Sequence, residues 1–225
     1  GGTFVGSSSA NEVWSSNNSS LNIASGATFR TIEGQIQVDA LNGAGSLVLG
    51  TTSGVYTAKM TVGVQGGSGS FSGAISNIAS FNNGTFNKVG TGTQSLTGAN
   101  TYTGATTVSG GTLQVTNMGA LSTSAIAIAS GAVFEANVTS NAAYSVNTSV
   151  SGAGTFRKTG SAGLAITGGG QLTFGNNAGG LIDIQTGLIQ NNNLQANLAN
   201  NLASINIASG AVLDIRGEAV QMNGL

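Results

Sequence analysis

Seven carboxylates, Glu12, Glu33, Asp39, Glu135, Asp183, Asp214 and Glu218, are the acidic side chains this chain offers for chemistry. Glycosidic hydrolysis needs two of them converging across a cleft. Glu33 with Asp39, and Asp214 with Glu218, are close in sequence and fall at matching places in two similar stretches. Solvated turn residues are the plainer account of both pairs. There is no His and no Cys, which removes the common catalytic triads and thiol nucleophiles. None of Lys59, Lys88 and Lys158 has a Ser three residues before it, so a Ser-Lys pair is missing as well. The sequence reads as a non-enzyme, with no catalytic residue assigned.

Metal and cofactor signals are equally thin, and none is assigned. Gly66-Gly67-Ser68-Gly69 runs into Ser70-Phe71, without the Asp of a calcium-binding solenoid repeat. The Gly-x-Gly steps at Gly43/Gly45, Gly90/Gly92 and Gly152/Gly154 complete no dinucleotide fingerprint and read as turns. Arg216-Gly217-Glu218 is one methylene longer than the integrin tripeptide, and Asn137-Val138-Thr139 is a chance glycosylation triplet in so polar a chain. Trp14, the sole Trp, reads as a cap over the first turn of the fold rather than an anchor for a partner.

Composition narrows the fold that would position any such groups. Of 225 residues only 6% are charged, against a usual quarter, and 37 are Gly. With 40% hydrophobic residues the chain is not disordered. Ser, Thr, Asn and Gly carry the polar share, which suits short strands and tight turns better than helix interiors. The six basic residues (Arg30, Lys59, Lys88, Arg157, Lys158 and Arg216) are scattered, so the clustered footprint of a nucleic-acid binder is missing. No stretch approaches a membrane helix, and aromatic girdles of a membrane barrel are missing, so no membrane insertion is expected. The chain opens at Gly1 without Met or signal peptide and reads as a piece of something longer.

Internal similarity decides among the all-β folds. Ile23-Ala24-Ser25-Gly26-Ala27 returns at 128–132 and at 207–211, each time with an apolar residue six positions after the Ile (Phe29, Phe134, Leu213). Gly84-Thr85-Phe86-Asn87-Lys88 is matched by Gly154-Thr155-Phe156-Arg157-Lys158. The stretch 204–224 follows 20–43 closely, and the natural chain is expected to continue with at least one further strand. Apolar residues alternate in Leu47/Leu49, Leu113/Val115, Ile126/Ile128, Leu164/Ile166, Leu172/Phe174 and Ile182/Ile184, so one face of each strand is buried. Strands that resemble others many tens of residues away predict coils stacked on near-copies of themselves, with like residues in one column. The predicted fold is all-β: a right-handed parallel β-helix (β-solenoid) of about ten coils, each of roughly 20–25 residues. Residues 1–225 form a single solenoid fragment, irregular near 176–203, where Asn191-Asn192-Asn193 could ladder or Leu194, Leu198 and Leu202 could share one side of a short helix.

The stretch Lys88 to Val115 resembles the autotransporter-associated β-strand repeat of Gram-negative bacterial passenger domains. The matching residues are Gly90-Thr91-Gly92-Thr93, Leu96-Thr97-Gly98-Ala99-Asn100-Thr101-Tyr102-Thr103-Gly104, Thr106-Thr107-Val108 and Gly111-Thr112-Leu113-Gln114-Val115. The resemblance implies a passenger domain of type V secretion, exported across the outer membrane and displayed at the bacterial cell surface. It also accounts for the lack of Cys, since such passengers cross the membrane unfolded. Gly98 and Gly104 are expected to allow tight corners, and Tyr102, Leu113 and Val115 to supply inward bulk. The expected function is an extracellular structural and adhesive shaft. Its partners would be a host-cell surface receptor or glycan, or other copies of itself. A secreted effector or toxin passenger is the alternative.

Overall fold

A computed structural model describes residues 3–5, 14, 16–31, 34–50, 58–78, 84–116, 118, 121–140, 144–146, 148–166, 179–191 and 203–215. They form an all-β parallel solenoid, and each strand pairs with strands of the preceding and following coils. Side one stacks Gln35–Val38, Lys59–Val62, Thr85–Lys88, Thr106–Val108, Ala125–Ile128 and Ser149–Gly152. Side two, next along each coil, stacks nine strands: Leu21–Ile23, Leu41–Gly43, Gly69–Phe71, Thr93–Leu96, Thr112–Val115, Val133–Asn137, Thr155–Thr159, Leu181–Ile184 and Ser204–Ile207. The third position holds two four-stranded sheets. The first contains Thr3–Val5, Thr28–Arg30, Ser46–Leu49 and Ala74–Asn77. The second contains Tyr144–Val146, Gly163–Ile166, Leu188–Asn191 and Val212–Asp214.

Partner offsets between coils run from 18 residues, at Thr28↔Ser46, to 28, at Gly43↔Phe71. The expected count of about ten coils is therefore slightly high. Side two has nine strands, and six coils carry a described strand on side one. Loops of unequal length take up the remaining residues.

Period-two alternation turns one face of every side inward. Ile36, Met60, Phe86, Ile126 and Val150 line side one, while Leu113, Phe134, Phe156 and Ile182 line side two, all at most 1% exposed. Each side chain of this size removed from water contributes about 1.5–3 kcal/mol, so the stack is held by a mostly apolar interior, interrupted by Thr106 on side one and Gln94 on side two. Tyr102, Leu113 and Val115 are buried as the sequence predicts. At Gly98 and Gly104 a Cβ would run into the carbonyl oxygens of Gly73 and Gly84, one coil below, so only Gly permits that approach. Trp14 leans on Phe29 with ring centroids 5.5 Å apart. Asn192, Asn193, Leu194, Leu198, Leu202, Leu172 and Phe174 lie outside the described residues.

One expectation is corrected. The look-alike segments do not all lie over one another. Ile23 and Ile207 share a column on side two, with Phe29 and Leu213 on side three, whereas Ile128 is on side one and Phe134 on side two. Phe86 and Lys88 belong to side one, but Phe156 and Lys158 belong to side two. The similarity marks a portable corner. Gly26, Gly131 and Gly210 have φ of 79°, 78° and 79°, and in each copy the second Ala donates to the first at 2.9–3.0 Å. Positive φ at the third residue is what a type II turn requires. The same turn serves at any corner because every side presents the same alternation.

Candidate functional site

The outward faces are the places where this fold can meet a partner, and side two has the most developed one. Register places Asn22, Asn42, Ser70, Ser95, Gln114, Glu135, Arg157, Asp183 and Asn206 in one outward column, one residue per coil. Neighbours in this column bond to one another. Ser95 Oγ donates to Gln114 Oε1 at 3.1 Å, and Gln114 Nε2 donates to Glu135 Oε1 at 2.9 Å. Arg157 Nε reaches Asp183 Oδ2 at 3.0 Å, and Asn206 Nδ2 reaches Asp183 Oδ1 at 2.7 Å. The result is two hydrogen-bonded runs, Ser95 to Glu135 and Arg157 to Asn206, in a polar column whose charges alternate in sign at Glu135, Arg157 and Asp183.

None of the carboxylate pairs suggested by sequence is brought together among the described residues. Glu12, Glu33 and Glu218 lie outside them, as does Arg216-Gly217-Glu218. Asp39 holds a corner, its Oδ1 accepting the backbone N–H groups of Gln65 and Gly67 at 2.8 and 2.9 Å. Asp214 accepts a 3.4 Å bond from Gln190. The carboxylates that do share a column, Glu135 and Asp183, lie two coils apart, about 10 Å by strand spacing. Burial works against the Asp183 charge, but hydrogen bonds from Asn206, Arg157 and Gln185, with the Arg157 charge, hold its carboxyl below the ordinary 3.8. A glycosidase general acid needs a carboxyl shifted the other way.

Sequence reasoning missed a second set of polar groups, the corner lysines. Lys88 and Lys158 occupy inward positions and are fully buried. Lys88 Nζ donates to the carbonyls of Val89, Gly90 and, in the next coil, Gly110, at 2.6, 3.1 and 3.2 Å. Lys158 Nζ donates to Thr159, Gly160 and, in the next coil, Thr186, at 2.7, 2.8 and 3.2 Å. Each ammonium spends its three protons on carbonyls gathered at the corner and so ties two coils together. The alternation Phe86/Lys88 and Phe156/Lys158 was the available signal, since it phases each Lys inward.

These buried amines carry a pH dependence. Burial brings Lys158 down from 10.5 to about 8, and it lowers Lys88 as well, with the Asp39 charge opposing. Between about pH 8 and 10.5 the unfolded chain holds a proton at position 158 that the folded chain has released. The unfolded state then binds more protons, and stability rises with pH across that window. Below it both states are protonated, and the burial cost is present in full. Relative to Lys158→Met, the parent chain is expected to gain urea resistance from pH 7.5 to pH 10. A constant difference between the two proteins would show that the position does not titrate there.

The fold and its surface thus define a parallel β-solenoid with hydrogen-bonded polar sides. Residues 86–115 match the family model described as the passenger-associated-transport-repeat, a repeat of autotransporter passenger domains. The matched stretch runs from side one around a full coil to the next side-two strand, so it stacks on itself at Phe86↔Thr106 and Gln94↔Leu113. Passenger domains bearing this repeat are exported to the cell surface. No curated protein and no solved structure matches the chain.

Proposed function

We propose that this chain is part of the extracellular shaft of a Gram-negative surface autotransporter, and that it acts in adhesion or cell–cell self-association. The observation that carries this reading is the side-two column of nine outward polar residues, one per coil. Such a column offers donors and acceptors from several coils to a host-cell receptor, a glycan or another copy of the chain. With a formal net charge of −1, repulsion between copies is small. Asn, Ser and Gln amides and hydroxyls can be satisfied by sugar hydroxyls or by the same groups on a second column.

Beads coated with the 225-residue chain are expected to clump together or to capture host cells. Arg157→Glu sets three carboxylates in succession at 135, 157 and 183, and like charges so juxtaposed disfavour close approach. This variant is expected to lower either readout several-fold while the far-UV circular dichroism stays the same. Parent beads that neither clump nor capture cells would defeat the adhesive reading.

A further inference from the structure

Side one carries a polar trough that plays no part in the side-two column. Its outward residues form two columns, Gln35, Lys59 and Thr85 in one and Gln37, Thr61, Asn87 and Thr107 in the other. Two depressions of about 330 and 190 Å³ open over these strands, and both are lined by Lys59 and Asn87. They are two lobes of one trough that crosses four coils, with Lys59 where they meet.

The charge of this side sets it apart. None of its six strands contains a carboxylate, whereas side two places Glu135 and Asp183 outward. Lys88 and Lys158 are committed to carbonyls, and Arg157 is paired with Asp183. Among the described residues Lys59 is therefore a cation on a partly buried outward face with no acidic neighbour in register. A lone ammonium among amides and hydroxyls lacks the cation density that a nucleic acid needs. It suits a ligand with one carboxylate and many hydroxyls.

We propose that this trough binds an acidic oligosaccharide, its carboxylate on Lys59 and its hydroxyls on Gln37, Thr61, Asn87 and Thr107. Strands spaced ~4.8 Å apart present a fresh set of polar groups at each coil, so an extended sugar chain lying along the trough meets partners throughout. The proposal deepens the adhesive reading by naming a ligand class, and a uronate or a sialate could supply the carboxylate.

The test measures binding of the 225-residue chain to two pairs of probes by calorimetry. One pair is oligogalacturonate and its methyl ester; the other is sialyllactose and lactose. In at least one pair the acidic member is expected to bind about tenfold or more tightly than its neutral partner, the usual strength of a charge-assisted hydrogen bond. Which pair responds separates the uronate from the sialate source. Lys59→Gln is expected to abolish the preference, Lys59→Arg to keep most of it, and Asn87→Ala to weaken binding of both members. Added salt is expected to weaken the acidic probe alone. The Lys59 variants are expected to melt as the parent does, because the side chain points outward and bonds to no core group.

No preference in either pair, or an undiminished preference in Lys59→Gln, would overturn the proposal. Cell capture that survives Lys59→Gln while the preference was never present sinks the trough alone. Acidic-sugar binding by a chain that neither clumps nor captures cells sinks the adhesive reading and leaves the trough standing.

Discussion

Replacing Gln94 with Leu is expected to cost about 2–6 kcal/mol, the combined penalty of orphaning one buried donor and one buried acceptor. Gln94 is 1% exposed and sits at an inward position otherwise held by Leu113, Phe134 and Phe156. Its amide bonds backbone two coils away: Nε2 donates to Leu41 O at 2.8 Å, and Oε1 accepts from Leu41 N at 3.0 Å. Between them stands Gly69, where an added Cβ would come within 2.6 Å of Gln94 Oε1 and of Leu41 O. Side two is pinched here, since Leu41–Gly43 pairs with Gly69–Phe71 only at Gly43↔Phe71. The side-chain amide imitates the missing peptide unit, and the glycine is the window through which it reaches. A Leu of similar size fills the space but offers neither group. Amide exchange at Leu41 is expected to accelerate by more than tenfold, with the urea midpoint falling in parallel. A midpoint within about 0.5 kcal/mol of the parent, the range of ordinary surface changes, together with unchanged exchange at Leu41, would show that water replaces the amide at no cost. Gly69→Ala closes the window and is expected to produce the same exchange signature with Gln94 intact.

That amide also marks where sequence legibility ends. Leu47/Leu49, Leu113/Val115, Ile126/Ile128 and Ile182/Ile184 alternate, and all eight are buried, so strand existence and the inward face could be read directly. The similarity of 23–27, 128–132 and 207–211 located real turns with nearly identical φ. It could not assign them to sides, because three sides with one alternation pattern are indistinguishable along the chain. The coil count erred for a related reason. Offsets vary from 18 to 28, so no single repeat length divides the chain into its coils.

Side-chain chemistry was less legible than the backbone. Lys88, Gln94 and Lys158 are polar residues at inward phases, and composition alone counts them as surface. Only the carbonyls gathered at the corners and the gap beside Leu41 explain why polar groups belong there, and those are properties of coils already stacked. The outward column of Glu135, Arg157 and Asp183 was hidden in the same way. Its members are 22 and 26 residues apart, and they become neighbours only when the register is known.

Phe156→Ala is expected to cost about 3–5 kcal/mol, the usual range for deleting a fully buried aromatic ring. Phe156 is 0% exposed and is stacked on Phe134 in the coil below, with centroids 5.9 Å apart and planes 12° from parallel; Ile182 stands over it in the next coil. In a globular core the surroundings can collapse partly into such a cavity. Here the coils above and below are tied at a fixed rise by backbone ladders on both faces of the strand, so the gap cannot close without breaking them. The damage is also local in a way that a globule does not allow. Around Phe156 each coil packs on its immediate neighbours, so stability there is close to a sum of coil and interface terms. Losing one interface is expected to divide the cooperative unit, with amides of Leu181–Ile184 and Ser204–Ile207 losing protection before those of Lys59–Val62. Phe156→Leu keeps most of the volume and is expected to cost less. Arg157→Ala, on the outward face beside it, is expected to cost about 1 kcal/mol or less. Uniform loss of protection along the whole chain in Phe156→Ala would mean that the solenoid unfolds as one unit, and that its coils are not energetically separable.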